Sequence, residues 1–333
     1  SAASDVYKRQ EDNFNKIIEK GTAILDLDGG SFQISLFDKD ALVTTQNIRM
    51  GSLRIRERLA GIQSETEHYE EMVEELIWNE VSSFKKMYLK DRKIENIMLI
   101  GDVFTDSVYQ NIEEKTTKII SRENFNTWYE KIIHQSPMEL AVKLGIPLEN
   151  ASLMYPSAVI YKCLIDMMGA EHIWIPGVHM TRGIAYEYAE QMKLLKGGHN
   201  FENDILMAAK NIGKRYAVNR PHVQNLEMTA LAMFDATKKM HGMKERERLL
   251  LQMAVMLHDV GKYISFNNVA DSSYNIIMSN EIIGLSHIER EMVALIARYN
   301  TVTLPSYDEL VMESSLSAEQ YLTVSELTAI VRL

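Results

Sequence analysis

The chain has 333 residues, enough for two domains, and its 46% hydrophobic and 25% charged residues exclude a disordered protein. A net charge of −10 excludes the broad basic face that nucleic-acid binding needs, and no apolar run approaches the roughly 20 residues that span a bilayer. The single cysteine, Cys163, leaves no disulfide framework, and with no signal peptide legible the expectation is a cytoplasmic protein.

Ser1–Gln10 has no periodicity and reads as translated sequencing-adapter sequence, and residues 11–20 read as the tail of something upstream. Both are set aside from the fold. In Ala23–Phe37, two runs of alternating residues are broken by Gly29-Gly30, which predicts a tight β-hairpin with φ > 0 at both turn positions. A turn without Cβ atoms lets another group approach its amides, and successive bare N–H groups form an anion-binding concavity. Asp26 and Asp28 stand just before it, placed to hold a Mg²⁺ that shares a phosphate's charge. An ordinary surface hairpin with acids near its turn is the alternative.

A strand over 41–48 and a short helix carrying Leu53, Ile55 and Leu59 come next. Apolar residues from Met72 to Met87 fall at i, i+3, i+4 spacing, which predicts a long amphipathic helix over 65–89. Ile94–Ile100 reads as a buried strand whose end at Gly101-Asp102 offers a second turn that a phosphate can approach. Ser121 is an N-cap for a helix over 121–135, Pro156 is expected to open a helix over 155–168, and His172–Ile175 is a short strand turned by Pro176-Gly177. A helix over 182–192 completes a mixed α/β layer. Lys196–Asn200 (KGGHN) reads as a linker, and every segment beyond it has helical spacing, so the remainder is an all-α domain.

Residues 249–263, LLLQMAVMLHDVGKY, form an apolar helix that presents His258-Asp259 before Gly261 breaks it. His222 stands at the start of another helix, and two imidazoles with a carboxylate suit a divalent metal. Isolated histidines such as His179, His241 and His287 read as structural. Two basic gatherings, Arg49, Arg54, Arg56, Arg58 and Lys210, Lys214, Arg215, Arg220, are either solvated helix faces or a path for a polyanion.

Ala23–Phe37, followed by Arg49-Met50-Gly51-Ser52-Leu53-Arg54, resembles the second half of the Ppx/GppA phosphatase family of exopolyphosphatases and guanosine pentaphosphate phosphatases. Asp26, Gly29, Gly30 and Ser31 match the family pattern, whereas Asp28 replaces a glycine, Phe32 a threonine and Gln33 a glutamate. Asp102-Val103-Phe104 stands where the family has small residues, and Thr181-Arg182-Gly183 where it has R-E-G. The H-x35-HD spacing with V-G-K resembles the HD-domain superfamily, whose fourth ligand, an Asp, is expected shortly after Leu333.

The resemblance implies an actin-like (ribonuclease H-like) half-domain over 21–198 and a truncated HD-type helical domain over 199–333. It implies a hydrolase that releases terminal phosphate from polyphosphate or guanosine penta- or tetraphosphate with Mg²⁺ or another divalent cation. Homodimers, and no membrane or specific nucleic-acid partner, are expected. Asp26 would hold metal, and Gly29, Gly30, Ser31 and Gly101 would bind phosphate, with His222, His258 and Asp259 as a second metal set. The family's catalytic base would lie before residue 11, so this fragment is expected to be weak or inactive alone. The departures at Gln33, Gly101-Asp102 and 181–183 favour the alternative of a non-catalytic polyphosphate- or alarmone-binding regulator. A metal phosphohydrolase centred on His222, His258 and Asp259 is the third reading.

Overall fold

The computed structural model describes residues 21–38, 41–59, 69–101, 103–111, 119–177, 188, 192 and 201–333. Asp102, the Thr181-Arg182-Gly183 segment, the rest of the helix expected over 182–192 and the Lys196–Asn200 linker lie outside these residues, as do residues 1–20. Two compact units divide between His199 and Asn200.

The first unit is built on a six-stranded sheet. Strands β1 (Thr22–Leu27), β2 (Phe32–Asp38) and β3 (Ala41–Ile48) form an antiparallel meander. Parallel β4 (Asn96–Gly101) joins the other edge of β1, then β6 (His172–Trp174) joins β4, and short β5 (Ile119–Ser121) closes the order β3-β2-β1-β4-β6-β5. An antiparallel meander whose first strand pairs in parallel with later strands is the order expected of a ribonuclease H-like half. Central β1 is covered on both faces, so Ile24 is as buried as Leu25, and only Asp26 reaches partway to solvent. In the covered β2–β3 pair, the Ser35 and Thr45 hydroxyls satisfy each other at 3.1 Å.

Helices pack on this sheet: α1 (Ser52–Leu59), α2 (Tyr69–Phe84), α3 (Val103–Asn111), α4 (Arg122–Ile133), α5 (Pro137–Leu144) and α6 (Leu148–Met168). Helix α6 is the hub, packing against the other five. It starts seven residues before the expected opening, with Pro156 buried in its interior. Proline removes one helical bond at a cost of ~3 kcal/mol, and the burial of α6 along nearly its whole length offsets that cost. Pro147, as N-cap, marks the real start. The helix expected through residue 89 turns into a single π turn at Lys85–Leu89. Helix α5 was not legible as an element although it carries full signals, a Ser136–Glu139 capping box, Pro137 in its first turn and left-handed Gly145 after its end.

The second unit is all-helical: α7 (Phe201–Arg215), α8 (Arg220–His241), α9 (Glu245–Leu257), α10 (Val269–Ser279), α11 (His287–Arg298), short α12 (Tyr307–Leu310) and α13 (Ala318–Arg332). Helix α9 is the core helix, with eight buried residues, and it packs against α7, α8, α11 and α13. The apolar helix expected within 249–263 ends at Leu257, before Gly261, and a 3₁₀ turn (Val260–Tyr263) follows. Arg246 ties the loop before α11 to α9, donating to Glu289 at 2.6 and 2.9 Å and to the Gly284 carbonyl at 2.7 Å. The chain is therefore α/β followed by all-α. No helix among the described residues is long and apolar enough to cross a membrane.

Candidate functional site

The ends of β1 and β4 lie side by side, because the strands run parallel with Asp26 opposite Ile100 and Leu27 opposite Gly101. Ligand sites of α/β sheets form at such carboxyl ends. The β1–β2 bend and Gly101 are thus brought to one edge, and the Pro176-Gly177 turn after parallel β6 leaves the same side of the sheet.

The bend differs from the expected one. Leu27 pairs with Phe32, so the loop has four residues, Asp28–Ser31, closed by the Asp28 amide donating to the Ser31 carbonyl at 2.9 Å. Neither Gly29 nor Gly30 has φ > 0. A two-residue turn needs that conformation to match strand twist, but a four-residue loop does not.

The glycine that packing demands is Gly51. A Cβ there would fall 2.2 Å from the Asp28 carbonyl oxygen and 2.4 Å from the Gly29 carbonyl carbon and oxygen. Its absence lets the start of α1 sit against the bend, with the Ser52 and Arg54 amides donating to the Asp28 and Gly29 carbonyls at 3.2 and 3.1 Å. The amides of Gly29, Gly30 and Ser31 donate to no carbonyl among the described residues, and a Cβ on Gly30 would meet nothing within 4 Å. The bend therefore gives its Asp28 and Gly29 carbonyls to α1, while its Gly29, Gly30 and Ser31 amides are left without a carbonyl partner among the described residues.

Asp26 is half-buried beside this bend, and its carboxylate has no hydrogen bond or ion pair among the described residues. Gln33 lies directly across from it on β2, where opposite residues share a face of the sheet. One carboxylate and one neutral amide oxygen suit a hard cation that keeps most of its water and shares a phosphate. Asp28 is exposed and contributes charge at the bend. Gly101, at φ 102°, has a different reason to be glycine: a Cβ would strike the Leu27 carbonyl at 2.3 Å and approach Asp26 Oδ1 at 3.2 Å. Buried Tyr161 donates to the Ile100 carbonyl at 3.2 Å and fixes this end of β4. Of the first basic gathering, Arg49 follows β3 at the bend end of the sheet, exposed Arg54 starts α1, and Arg56 is occupied by the Ser152 hydroxyl at 2.6 Å.

A separate cluster forms in the helical unit. Ligand atoms of His222, His258 and Asp259 all lie within 4.8 Å of one another. The Asn219 side chain caps α8 and accepts from the His222 amide, which sets that imidazole on the first turn, exposed. Buried His258 ends α9, and its Nδ1 donates to the Val255 carbonyl at 2.7 Å, leaving Nε2 to face Asp259 Oδ2 at 3.3 Å. Lys262 donates to the same oxygen at 2.6 Å. Burial pushes the Asp259 carboxyl up, but the bonds from His258 and Lys262 outweigh it and hold it at about 2. Ser273 secures the loop by accepting from the Gly261 amide and donating to the His258 carbonyl. His241, by contrast, is structural, bonded to the Phe234 carbonyl and the Met243 amide. Lys210, Lys214, Arg215 and Arg220 are exposed, with Arg215 lying over the Tyr216 ring.

Comparison with known proteins gives two family matches. The Ppx/GppA phosphatase family profile covers residues 14–192, and the profile of Ppx/GppA phosphatase domain III covers residues 206–333. A guanosine-5'-triphosphate,3'-diphosphate pyrophosphatase of Vibrio atlanticus is 21% identical over 186 residues, 55% of this chain and 36% of that protein. An exopolyphosphatase of Cytophaga hutchinsonii superposes with a TM-score of 0.46 at 14% identity, over 54% of this chain and 61% of the other. The Aquifex aeolicus Ppx/GppA family member gives 0.45 at 12% identity, over 57% and 61%. The chain thus matches about a third of the length of the curated relative.

Proposed function

Because the chain belongs to the Ppx/GppA phosphatase family, we propose that its α/β unit is the phosphate-holding half of a divalent-cation-dependent phosphoanhydride hydrolase. Its substrate class is polyphosphate or a guanosine penta- or tetraphosphate, whose terminal phosphoryl groups are chemically alike. The reading is carried by the polarity of the Asp28–Ser31 bend, with the Asp28 and Gly29 carbonyls tied to α1, the Gly29, Gly30 and Ser31 amides without carbonyl partners and unpaired Asp26 alongside. Amides without carbonyl partners suit the phosphoryl oxygens, and Arg49 and Arg54 suit the following phosphates of a chain. Asp26, with Gln33 across from it, would hold Mg²⁺, which supplies charge neutralisation at the phosphoryl group. Gly101 lets β4 end close against Asp26, so its part is to shape the site. The general base that deprotonates the attacking water is proposed to come from outside these residues.

Binding of a long polyphosphate in Mg²⁺ tests the reading. In Gly30→Ala the new methyl enters open space, so stability should hold within ~0.5 kcal/mol while affinity falls about tenfold. Asp26→Asn should lose the Mg²⁺ dependence of binding. Unchanged binding in both variants would remove the bend from the site. A regulator that binds without cleaving is the second reading, favoured by the neutral Gln33 at the place of a second carboxylate. Phosphate release, measured on polyphosphate and on guanosine pentaphosphate, separates the two.

A further inference from the structure

We propose that one end of the helical unit is a peripheral contact for an anionic lipid surface, with Tyr263, Ile264 and Phe266 entering the headgroup layer and Lys and Arg side chains around them facing the lipid charge. The inference is independent of the phosphate site in the α/β unit, and it departs from the expectation of no membrane partner.

Three helices meet at this end. Helix α7 ends at Arg215, α8 starts at Arg220 and α9 ends at Leu257. Gly213, in the last turn of α7, lies against α9, since a Cβ there would fall 3.8 Å from the Met256 carbonyl oxygen. The His222 and His258 rings, 5.4 Å apart, bring the start of α8 to the same place. Tyr216 meets Tyr263 edge-on with ring centroids 5.6 Å apart, and Arg215 lies over the Tyr216 ring.

The loop after α9 presents large apolar side chains to water: Tyr263 is 65% exposed, Ile264 63% and Phe266 82%. Its backbone is nevertheless fixed. The Gly261 carbonyl accepts from the Ile264 and Ser265 amides at 3.0 and 3.1 Å, and Ser273 of α10 accepts from the Gly261 amide at 3.0 Å. Side chains this exposed on a pinned loop stand out from the surface, so they enter a partner rather than receive one. A lipid surface admits such a tip without a pocket of matching shape, and aromatic side chains favour its headgroup layer.

Charge selects the lipid. Residues 210–226 and 260–270 hold five basic residues, Lys210, Lys214, Arg215, Arg220 and Lys262, and no Asp or Glu, in a chain of net charge −10. All five are exposed. Asp259, at the same end, is 12% exposed and bonded by Lys262. With a screening length of about 8 Å at physiological salt, acids elsewhere in the molecule weigh little against this end. Each basic residue near an anionic surface strengthens binding about fivefold.

The test is sedimentation of the full chain with vesicles of phosphatidylglycerol and phosphatidylcholine in equal parts, and with vesicles of phosphatidylcholine alone. Wild type should bind the anionic vesicles at least tenfold more tightly than the neutral ones. Ile264→Ser with Phe266→Ser should bind them at least tenfold more weakly, and Lys210→Gln with Lys214→Gln about 25-fold more weakly. All four side chains are exposed, so the melting temperature of each variant should match wild type. Met240→Ser, 87% exposed but about 30 Å along α8 from Arg220, should bind as wild type does. Absence of vesicle binding in wild type would overturn the proposal in favour of a protein contact. Equal binding to both vesicles, either double variant binding as wild type, or Met240→Ser losing as much as the loop variant would overturn it as well.

Discussion

Gly51→Ala should damage the protein far more than an exposed-looking glycine at a helix start would lead one to expect. The added Cβ would sit 2.2 Å from the Asp28 carbonyl oxygen, at least 1.2 Å inside ordinary contact, which begins at 3.4 Å. The atoms it strikes are backbone, so no flexible side chain can give way. Either the bend or the start of α1 must move by about an ångström, and both amide–carbonyl bonds between them are lost. Two backbone bonds at ~0.5–1.5 kcal/mol each, with overpacking strain of ~1–3 kcal/mol, exceed the ~0.4–1 kcal/mol that replacing glycine returns through the unfolded chain. The expected net loss is about 1–5 kcal/mol. All three tryptophans, Trp78, Trp128 and Trp174, belong to the α/β unit, so urea unfolding followed by tryptophan fluorescence reads that unit alone. Gly30→Ala serves as the internal reference, near zero. A Gly51→Ala loss below about 0.5 kcal/mol would refute the claim that α1 packs on the bend.

Burial opposes ionisation of Glu289, but the Arg246 bonds and the Ser286 amide outweigh it, so its folded-state pKa lies below the ordinary 4.5. Its stabilisation is complete above that ordinary value and fades as pH falls through the folded one; Glu289→Gln should cost about 1–2 kcal/mol at neutral pH and flatten the acid limb of the helical unit's melting curve. Burial pushes the Cys163 thiol up to about 12, so a maleimide at pH 8 should leave it unlabelled in the native protein and label it fully in urea. Gln33→Glu places a second carboxylate across from Asp26, and Mn²⁺ titration should show about tenfold tighter binding than wild type.

What the sequence shows and what it hides can be traced to particular residues. The β1–β2 pair was legible because alternation with a Gly-Gly break is local information. The conformation of the break was not, since loop length depends on which residues pair, and the Leu27–Phe32 pairing is set by the whole sheet. Pro156 misled for a related reason: a proline reads as a helix start only where local propensity governs, and in α6 burial along the helix overrides it. His258 and Asp259 stood out as polar residues ending an apolar run. Their partner His222 lies 36 residues upstream, and only the α8–α9 packing brings it within reach. Gly51 was visible as part of a motif, but its purpose was not, because the atoms it spares belong to a loop more than twenty residues earlier.

The preference for an anion proposed for the bend is therefore not a property of the two glycines. Any turn carries donors and acceptors in nearly equal number, and a glycine-rich one can as readily line a cation site with carbonyls as an anion site with amides. The choice here is made by α1. A helix start has amides without partners, and the Asp28 and Gly29 carbonyls supply acceptors to two of them. That exchange occupies the Asp28 and Gly29 carbonyls and leaves the Gly29, Gly30 and Ser31 amides without carbonyl partners among the described residues, next to the positive end of the α1 dipole. With the Asp28 and Gly29 carbonyls taken, the cation proposed at this edge would be held through the Asp26 carboxylate, beside the phosphoryl group it would neutralise. Chloride or inorganic phosphate should compete with polyphosphate at the bend in wild type, and Gly51→Ala, by freeing those carbonyls, should weaken that competition along with stability.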